Sequence, residues 1–433
     1  MFHRYLPFVI VVLLTNIILH AQMSTPVVAG KPTPPSLTME ATKRDVLVMG
    51  LRVSNDFDNN ALSYSQKKQS NLLTVVEPHI GWSLWRSRAN WTLDYHPGFS
   101  LSHQLSGYDS RSHMLDTTLQ LMLTNHLSLR LRESFLQTQN PFDLLPESGS
   151  APGSSVLDRP NPPLATTARA RSEQSGVDIY YALDSHTVVA VGGAFFRVGY
   201  DSPQQNRVLA RAQSASAHAV YSHRLSRRHW IGLEYNIQDL ISEQPQSRAL
   251  VHSVFYADTM QIRPNISLTF FAGPERLSKR DELLLLSERT LGTSHANWQW
   301  AGGGVCSFTA AHTTLTVSLS QRMSDGGGFQ GIAHVSDAIA ELHQKLTQRW
   351  KADLLTSYSN TRMLSVTPAS LSYFSIASGF TRVLTPRVSL EFRFWRVRQF
   401  GPDVGQAAYV ADHNRISTSL VYDFRTPLQG QHR

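Results

Sequence analysis

The chain has 433 residues, 41% of them hydrophobic, and a mean hydropathy of −0.22. This composition excludes a helical membrane protein and leaves either two or three soluble domains or one large all-β domain. The formal net charge is +8, but the basic residues are dispersed and form no run, so no nucleic-acid partner is predicted. Cys306 is the single cysteine of the sequence, which excludes an intrachain disulfide.

The N-terminus predicts export from the cytoplasm. His3 and Arg4 precede the apolar stretch YLPFVIVVLLTNIIL, and the small residue Ala21 follows it. We therefore predict a signal peptide over 1–21 and a flexible periplasmic lead-in, rich in Pro, Thr and Ser, over 22–45. An uncleaved N-terminal membrane anchor is the alternative. Beyond this stretch no apolar run approaches the ~20 residues that a spanning helix needs, so the mature chain is either soluble or a membrane β-barrel.

From Val46 onward the dominant pattern is a period of two, which is typical of half-apolar β-strands. The clearest alternating segments are MLDTTLQLMLT (114–124), LSLRLRES (127–134), IGLEYNIQ (231–238), TTLTVSLSQR (313–322) and RVSLEFRF (387–394).

The segments are joined by short and long connections in turn. The short ones form a weak repeat: LTNH (123–126), LDSH (183–186), LSRR (225–228), IRPN (262–265), TAAH (309–312), LTQR (346–349) and LTPR (384–387). The longer, polar ones are predicted at 140–174, 201–207, 241–248, 276–295, 324–330, 362–370 and 401–413. Short turns and long loops on opposite sides are typical of a transmembrane antiparallel β-barrel. We predict an all-β barrel of about 18 strands (range 16–18) over 46–424, with a periplasmic tail over 425–433.

One segment is ambiguous. Residues 335–350 place Val335, Ile339, Leu342, Leu346 and Trp350 at helical spacing, which leaves a helix open. A strand is preferred because 346–349 fits the series of turns.

Tryptophans fall near the predicted strand ends rather than at their centres, as in the aromatic girdles of outer-membrane barrels. A chance distribution over soluble strands is the alternative. The predicted girdle comprises Trp82, Trp85, Trp91, Trp230, Trp298, Trp300, Trp350 and Trp395.

Charged residues occupy the polar face at mid-strand, where a barrel would turn them toward a wet lumen. These pore-lining candidates are Asp116, Arg130, Arg132, Glu234, Glu391 and Arg393. The arginines predict either a positive constriction that favours anionic solutes or ion pairs that stiffen the interior.

No catalytic motif is present: the sequence contains no G-x-S-x-G, H-E-x-x-H or phosphate-binding glycine loop. The histidines show no compelling metal-ligand spacing, and the glycine triplets at 302–304 and 326–328 suit a strand and a loop tip. We predict no enzymatic activity, no cofactor and no metal.

The last strand carries the most specific pattern, with Ile416, Leu420, Tyr422 and Phe424 on one face and an aromatic residue at its end. Here the chain resembles bacterial outer-membrane β-barrel proteins, whose terminal aromatic strand is recognised by the insertion machinery. The segments WTLDYHPGFSLSHQ, LSLRLRESFLQTQNPF and LTFFAGPE also resemble uncharacterised barrels of acidobacteria. The nine residues after Phe424 depart from the usual pattern, in which the aromatic residue is often the last.

The resemblance covers 46–424 and implies a porin-like passive channel for small solutes in the cell outer membrane. Its implied partners are outer-membrane lipid, lipopolysaccharide and the insertion machinery. Two alternatives remain: a barrel associated with exopolysaccharide export, and a plugged structural or binding barrel at the cell surface.

Overall fold

The structure is a computed structural model that describes residues 45–62, 68–139, 169–201, 211–243, 246–285, 288–291, 295–324, 332–364, 370–401, 403–404, 407–408 and 411–427. The predicted signal peptide, and all but Asp45 of the predicted lead-in, lie outside these ranges. Among the described residues, no helix is long and apolar enough to cross a membrane.

The described residues form an 18-stranded closed antiparallel barrel, which confirms the predicted fold class and strand count. Its strands are β1 (Val46–Asp58), β2 (Asn71–Trp85), β3 (Ala89–Ser102), β4 (Ser110–Met122), β5 (Leu127–Thr138), β6 (Arg169–Ala182), β7 (Thr187–Asp201), β8 (Ala212–Ser226), β9 (His229–Glu243), β10 (Gln246–Arg263), β11 (Ile266–Leu285), β13 (His295–Thr309), β14 (Thr313–Ser324), β15 (Ala333–Lys345), β16 (Trp350–Met363), β17 (Ser370–Thr385), β18 (Val388–Phe400) and β21 (Ala411–Pro427). Three short strands lie in the connections: β12 (Glu288–Leu291), which extends a hairpin from β11, and the pair β19 (Asp403–Val404) and β20 (Ala407–Ala408).

Each barrel strand pairs with its neighbours along the chain, and β1 closes the ring against β21. Val46 pairs with Pro427 and Asp58 with Arg415, so both ends of the barrel chain lie on the side of the short turns. The last strand extends three residues beyond Phe424, and the predicted tail therefore begins within β21. Closure leaves no unpaired sheet edge, which is the condition for a sheet in a lipid environment.

The weak sequence repeat marks the short turns. Thr124, Thr347 and Thr385 each accept hydrogen bonds through Oγ1 from the backbone N–H groups two and three residues later. Asp184 does the same with Oδ1, and the hydrogen bonds from the backbone N–H groups of His186 and Thr187 lower the pKa of this exposed carboxyl. Side chains of this type satisfy the turn's own backbone, which explains why four of the seven repeat segments have Thr or Asp at their second position.

Several strands extend into predicted loops. β11 continues to Leu285 and β10 begins at Gln246, although loops were predicted over 276–295 and 241–248. Residues 333–345 form the strand β15, so the helical alternative is wrong. Val335 and Ile339 are buried on its inner face. Because this strand has apolar residues on both faces, their spacing resembled that of a helix.

Candidate functional site

The two faces of the barrel wall differ in exposure. On β1, Met49, Leu51 and Val53 are 43%, 42% and 38% exposed, whereas the alternating residues Arg52 and Ser54 are not. The same alternation holds on β21, where Ile416, Leu420 and Tyr422 are exposed and Ser417 and Ser419 are buried. The outer face is therefore predominantly apolar, and the inner face carries polar and charged groups.

All six sequence-predicted lining residues lie on the inner face. In register, Arg130 is opposite Gln120 and Asp178, and Asp116 is opposite Asp94. Glu234 is 3% exposed and shares its face with Gly232 and Asn236. The sequence analysis missed other charged residues of the inner face, including Arg52, Asp178 and Arg415. Their position in the alternation of polar and apolar residues could have identified them.

Glu391 joins two arginines on the inner wall where the barrel closes. Its Oε2 lies 3.1 Å from Arg393 Nη2 and 3.4 Å from Arg52 Nη2, and Arg52 also lies 3.6 Å from Glu77. Arg52 and Glu391 belong to strands on either side of β21, so the contact passes over that strand. At this position the positive charge of both arginines is compensated by carboxylates.

A second charged group spans β5 to β8. Arg132 Nη2 lies 2.9 Å from Asp178 Oδ2, and His218 Nε2 lies 3.3 Å from Asp178 Oδ1. The contact to His218 crosses β7 at Gly192, where a Cβ would lie 2.6 Å from Asp178 Oδ1 and 2.7 Å from His218 Cε1. Glycine is required because any side chain would fill the space through which the carboxylate reaches.

Arg130 makes a different contact from the other predicted arginines. Its guanidinium lies over the ring of Tyr180, 5.4 Å from the centroid. Of the three arginines proposed for a constriction, Arg132 and Arg393 are thus held by carboxylates, and Arg130 is held by an aromatic ring.

Near the end of the barrel opposite the short turns, β1 and β21 share a buried ionic network. Arg415 pairs with Asp56, and both are at most 5% exposed. Next to them, His413 Nδ1 lies 3.5 Å from Asp58 Oδ1. Two opposite charges so shielded from water fix the register of the closing strand pair, because separating them would leave either one unpaired.

The inner wall is not polar throughout. Residues of β9, β10, β11 and β14, with Ile332 just before β15, form buried apolar clusters that contain Leu240, Val251, Ala249, Leu277, Met323, Ile332, Phe255 and Phe271. The interior therefore mixes charged groups with apolar clusters: a smaller apolar cluster lies on β6 to β8, and Glu341, His343 and Asp353 form a charged group on β15 and β16.

The eight tryptophans divide between the two faces. Trp82, Trp91, Trp298, Trp300 and Trp350 share the outer face with exposed apolar residues. Trp85, Trp230 and Trp395 lie on the inner face, which corrects their assignment to a lipid-facing girdle. Trp395 packs on Tyr373 and Val397, and Arg224 lies over Trp230 at 5.6 Å. The prediction used distance from strand ends alone, and side-chain alternation decides the face.

The comparisons with known proteins found similarity to this chain in structure but not in sequence. No protein-family profile and no curated sequence matches the chain. The outer membrane protein OpdK of Pseudomonas aeruginosa aligns at a TM-score of 0.41 and 10% identity over 88% of this chain and 99% of its own. OccK2 (OpdF) of the same organism aligns at 0.42 and 12% over 88% and 98%. OccAB1 of Acinetobacter baumannii aligns at 0.43 and 12% over 89% and 97%. At these scores the similarity carries no argument about function, and the fold rests on the strand register of the chain itself.

Proposed function

We propose that the protein is an outer-membrane β-barrel that acts as a porin-like passive channel for small solutes. The observation that carries the proposal is a closed ring of 18 strands with an apolar outer face and charged groups on its inner wall. A barrel of this strand number has an interior wide enough for an aqueous path.

The outer tryptophans support a membrane location. Trp350 begins its strand at a short turn, whereas Trp300 lies nine residues from the end of β13 at Thr309. Nine residues at ~3.3 Å each, on strands tilted by ~40°, correspond to a height of about 23 Å. This height is close to the ~25 Å apolar band of outer-membrane barrels. Outer-membrane lipid and lipopolysaccharide would cover the apolar band between these tryptophans, and the insertion machinery would recognise β21.

The charge pairing favours weak ion selectivity over a strongly anion-selective constriction. Arg132 and Arg393 each have a carboxylate within about 3 Å, so their fields are largely cancelled along the solute path. Arg130, held on a tyrosine ring, is the arginine expected to act most on passing anions.

Refolded protein in a planar bilayer tests the proposal. We expect heat-modifiable gel mobility together with stepwise conductance. The Arg130→Ala and Arg132→Ala variants should each lower the permeability ratio of chloride to potassium, Arg132→Ala because it leaves the negative charge of Asp178 uncompensated. Unchanged selectivity in both variants would remove the arginines from the conduction path, and a folded barrel without conductance would remove the channel function.

A plugged structural barrel is the second candidate, and the buried apolar clusters of the inner wall favour it. Phe255 and Leu240 point inward yet are 1% and 0% exposed, so water does not reach this part of the interior. Under this alternative the refolded protein shows heat-modifiable mobility and no conductance.

A further inference from the structure

A histidine pair and a carboxylate converge on the inner wall of β2 and β3. His79 Nε2 and His96 Nε2 each lie 3.0 Å from the same oxygen, Oδ1 of Asp94. The two imidazole rings are stacked, with centroids 4.3 Å apart and planes inclined by 11°. The three donor atoms lie within 4.8 Å of one another, in a set that the alternation of two neighbouring strands brings together.

This geometry is close to that of a metal-ion ligand set. Zinc bonds to histidine nitrogen and carboxylate oxygen are ~2.0–2.2 Å long, which places two ligands of a tetrahedral ion about 3.3 Å apart. Both nitrogen–oxygen separations at Asp94 are within a few tenths of an ångström of this value. Small side-chain rotations would therefore point all three donors at one ion, with a fourth position left open.

Gly50 on the neighbouring strand β1 leaves room for His79. His79 Nδ1 and Asp423 Oδ1 both lie over Gly50, at 3.2 Å and 2.8 Å from the position that a Cβ would occupy there. Gly50 supplies the space for this arrangement, because a methyl group would contact both side chains.

The site is open to the interior and negatively charged. The side chains of Asp94 and His96 are 51% and 40% exposed, so an ion within the barrel can approach the cluster, and small side-chain movements would uncover Asp94 Oδ1, which is itself buried. Asp116 is the direct cross-strand partner of Asp94, which adds a second carboxylate on the same face. Acidic groups beside imidazoles favour a divalent cation over an anion at this position.

We propose that His79, Asp94 and His96 form a binding site for a divalent transition-metal ion of the zinc class. Imidazole nitrogen selects such ions over magnesium and calcium, which prefer oxygen ligands. Binding does not depend on the barrel being a channel, so the proposal stands apart from the proposed function. The sequence predicted no metal site because the ligands come from two strands, and the pair D-x-H at 94–96 was its only local signal.

Isothermal titration of the detergent-refolded barrel with zinc(II) tests the proposal. We expect one saturable site that His79→Ala and His96→Ala abolish and that magnesium does not occupy. His113→Ala is the matched control, since His113 lies on the outer face of adjacent β4 and contacts Tyr95. Heat-modifiable mobility of each variant shows that it folds.

Copper(II) supplies a second readout through the nitrogen couplings of its paramagnetic resonance spectrum. Two coupled nitrogens are expected for the unaltered protein, and one after either histidine is replaced. A folded His79→Ala or His96→Ala variant that binds zinc as tightly as the His113→Ala control would overturn the proposal.

Discussion

Neutralising Glu391 should make the barrel more anion-selective. Glu391 compensates two arginines at 3.1 Å and 3.4 Å, so Glu391→Gln leaves one additional positive charge on the inner wall. At about 6 Å this charge changes the energy of a monovalent ion by ~0.7 kcal/mol in water. Screening in 0.1 M salt, where the Debye length is ~10 Å, reduces the change to ~0.4 kcal/mol.

An energy of ~0.4 kcal/mol raises the local anion concentration about twofold and lowers that of cations about twofold. The permeability ratio of chloride to potassium should therefore rise about three- to fourfold in 0.1 M potassium chloride. In 1 M salt the Debye length is ~3 Å and the rise should stay below about 1.5-fold. The reversal potential across a salt gradient measures the ratio.

Asp184→Asn is the matched control, because it removes one negative charge from an exposed turn outside the barrel wall. Its ratio should equal that of the unaltered protein. If Glu391→Gln leaves the ratio unchanged, or shifts it toward potassium, Glu391 does not act on ions in the conduction path and the electrostatic reasoning fails.

Three further changes have expected outcomes. Gly192→Ala should destabilise the refolded barrel by about 1–3 kcal/mol in urea titrations, because its Cβ overlaps a carboxylate and a histidine, whereas Gly199→Ala, with its nearest contact at 3.6 Å, should be nearly neutral. Arg415→Ala should cost about 3–5 kcal/mol by leaving a buried carboxylate unpaired, against at most about 1 kcal/mol for the exposed Arg396→Ala; equal effects would contradict the importance of burial. In a variant that keeps Trp300 as its single tryptophan, brominated lipid should quench the tryptophan fluorescence. Fluorescence that brominated lipid does not change would place this residue away from the membrane.

The short turns were predictable because their chemistry is local. A Thr or Asp that satisfies the backbone two and three residues later leaves a visible signature in the sequence, as at Thr124 and Asp184. Strand alternation was equally visible where one face is apolar and the other polar. It became ambiguous in β15, because Val335 and Ile339 add apolar residues to the inner face.

The side-chain clusters of the inner wall were beyond prediction because register creates them. Glu391 reaches Arg52 over an intervening strand, and His79 meets His96 only when β2 and β3 pair as observed. The inward position of Trp395 has the same origin, since its distance from a strand end says nothing about its face. A sequence reveals which residues share a strand face, but contacts between strands depend on their offset.

The pairing of β1 with β21 also determines how the chain could be circularly permuted. Val46 and Pro427 are cross-strand partners at the side of the short turns, so the two ends of the barrel chain are already adjacent. A short linker between them would resemble the other turns, and the chain could then be opened at one of those turns without altering any strand pairing. Such a circular permutant should fold to the same ring, with the seam moved elsewhere. Because closing long loops costs only logarithmically more than closing short ones, moving the seam should change stability little. It would show whether assembly requires this particular pair of strands to meet last.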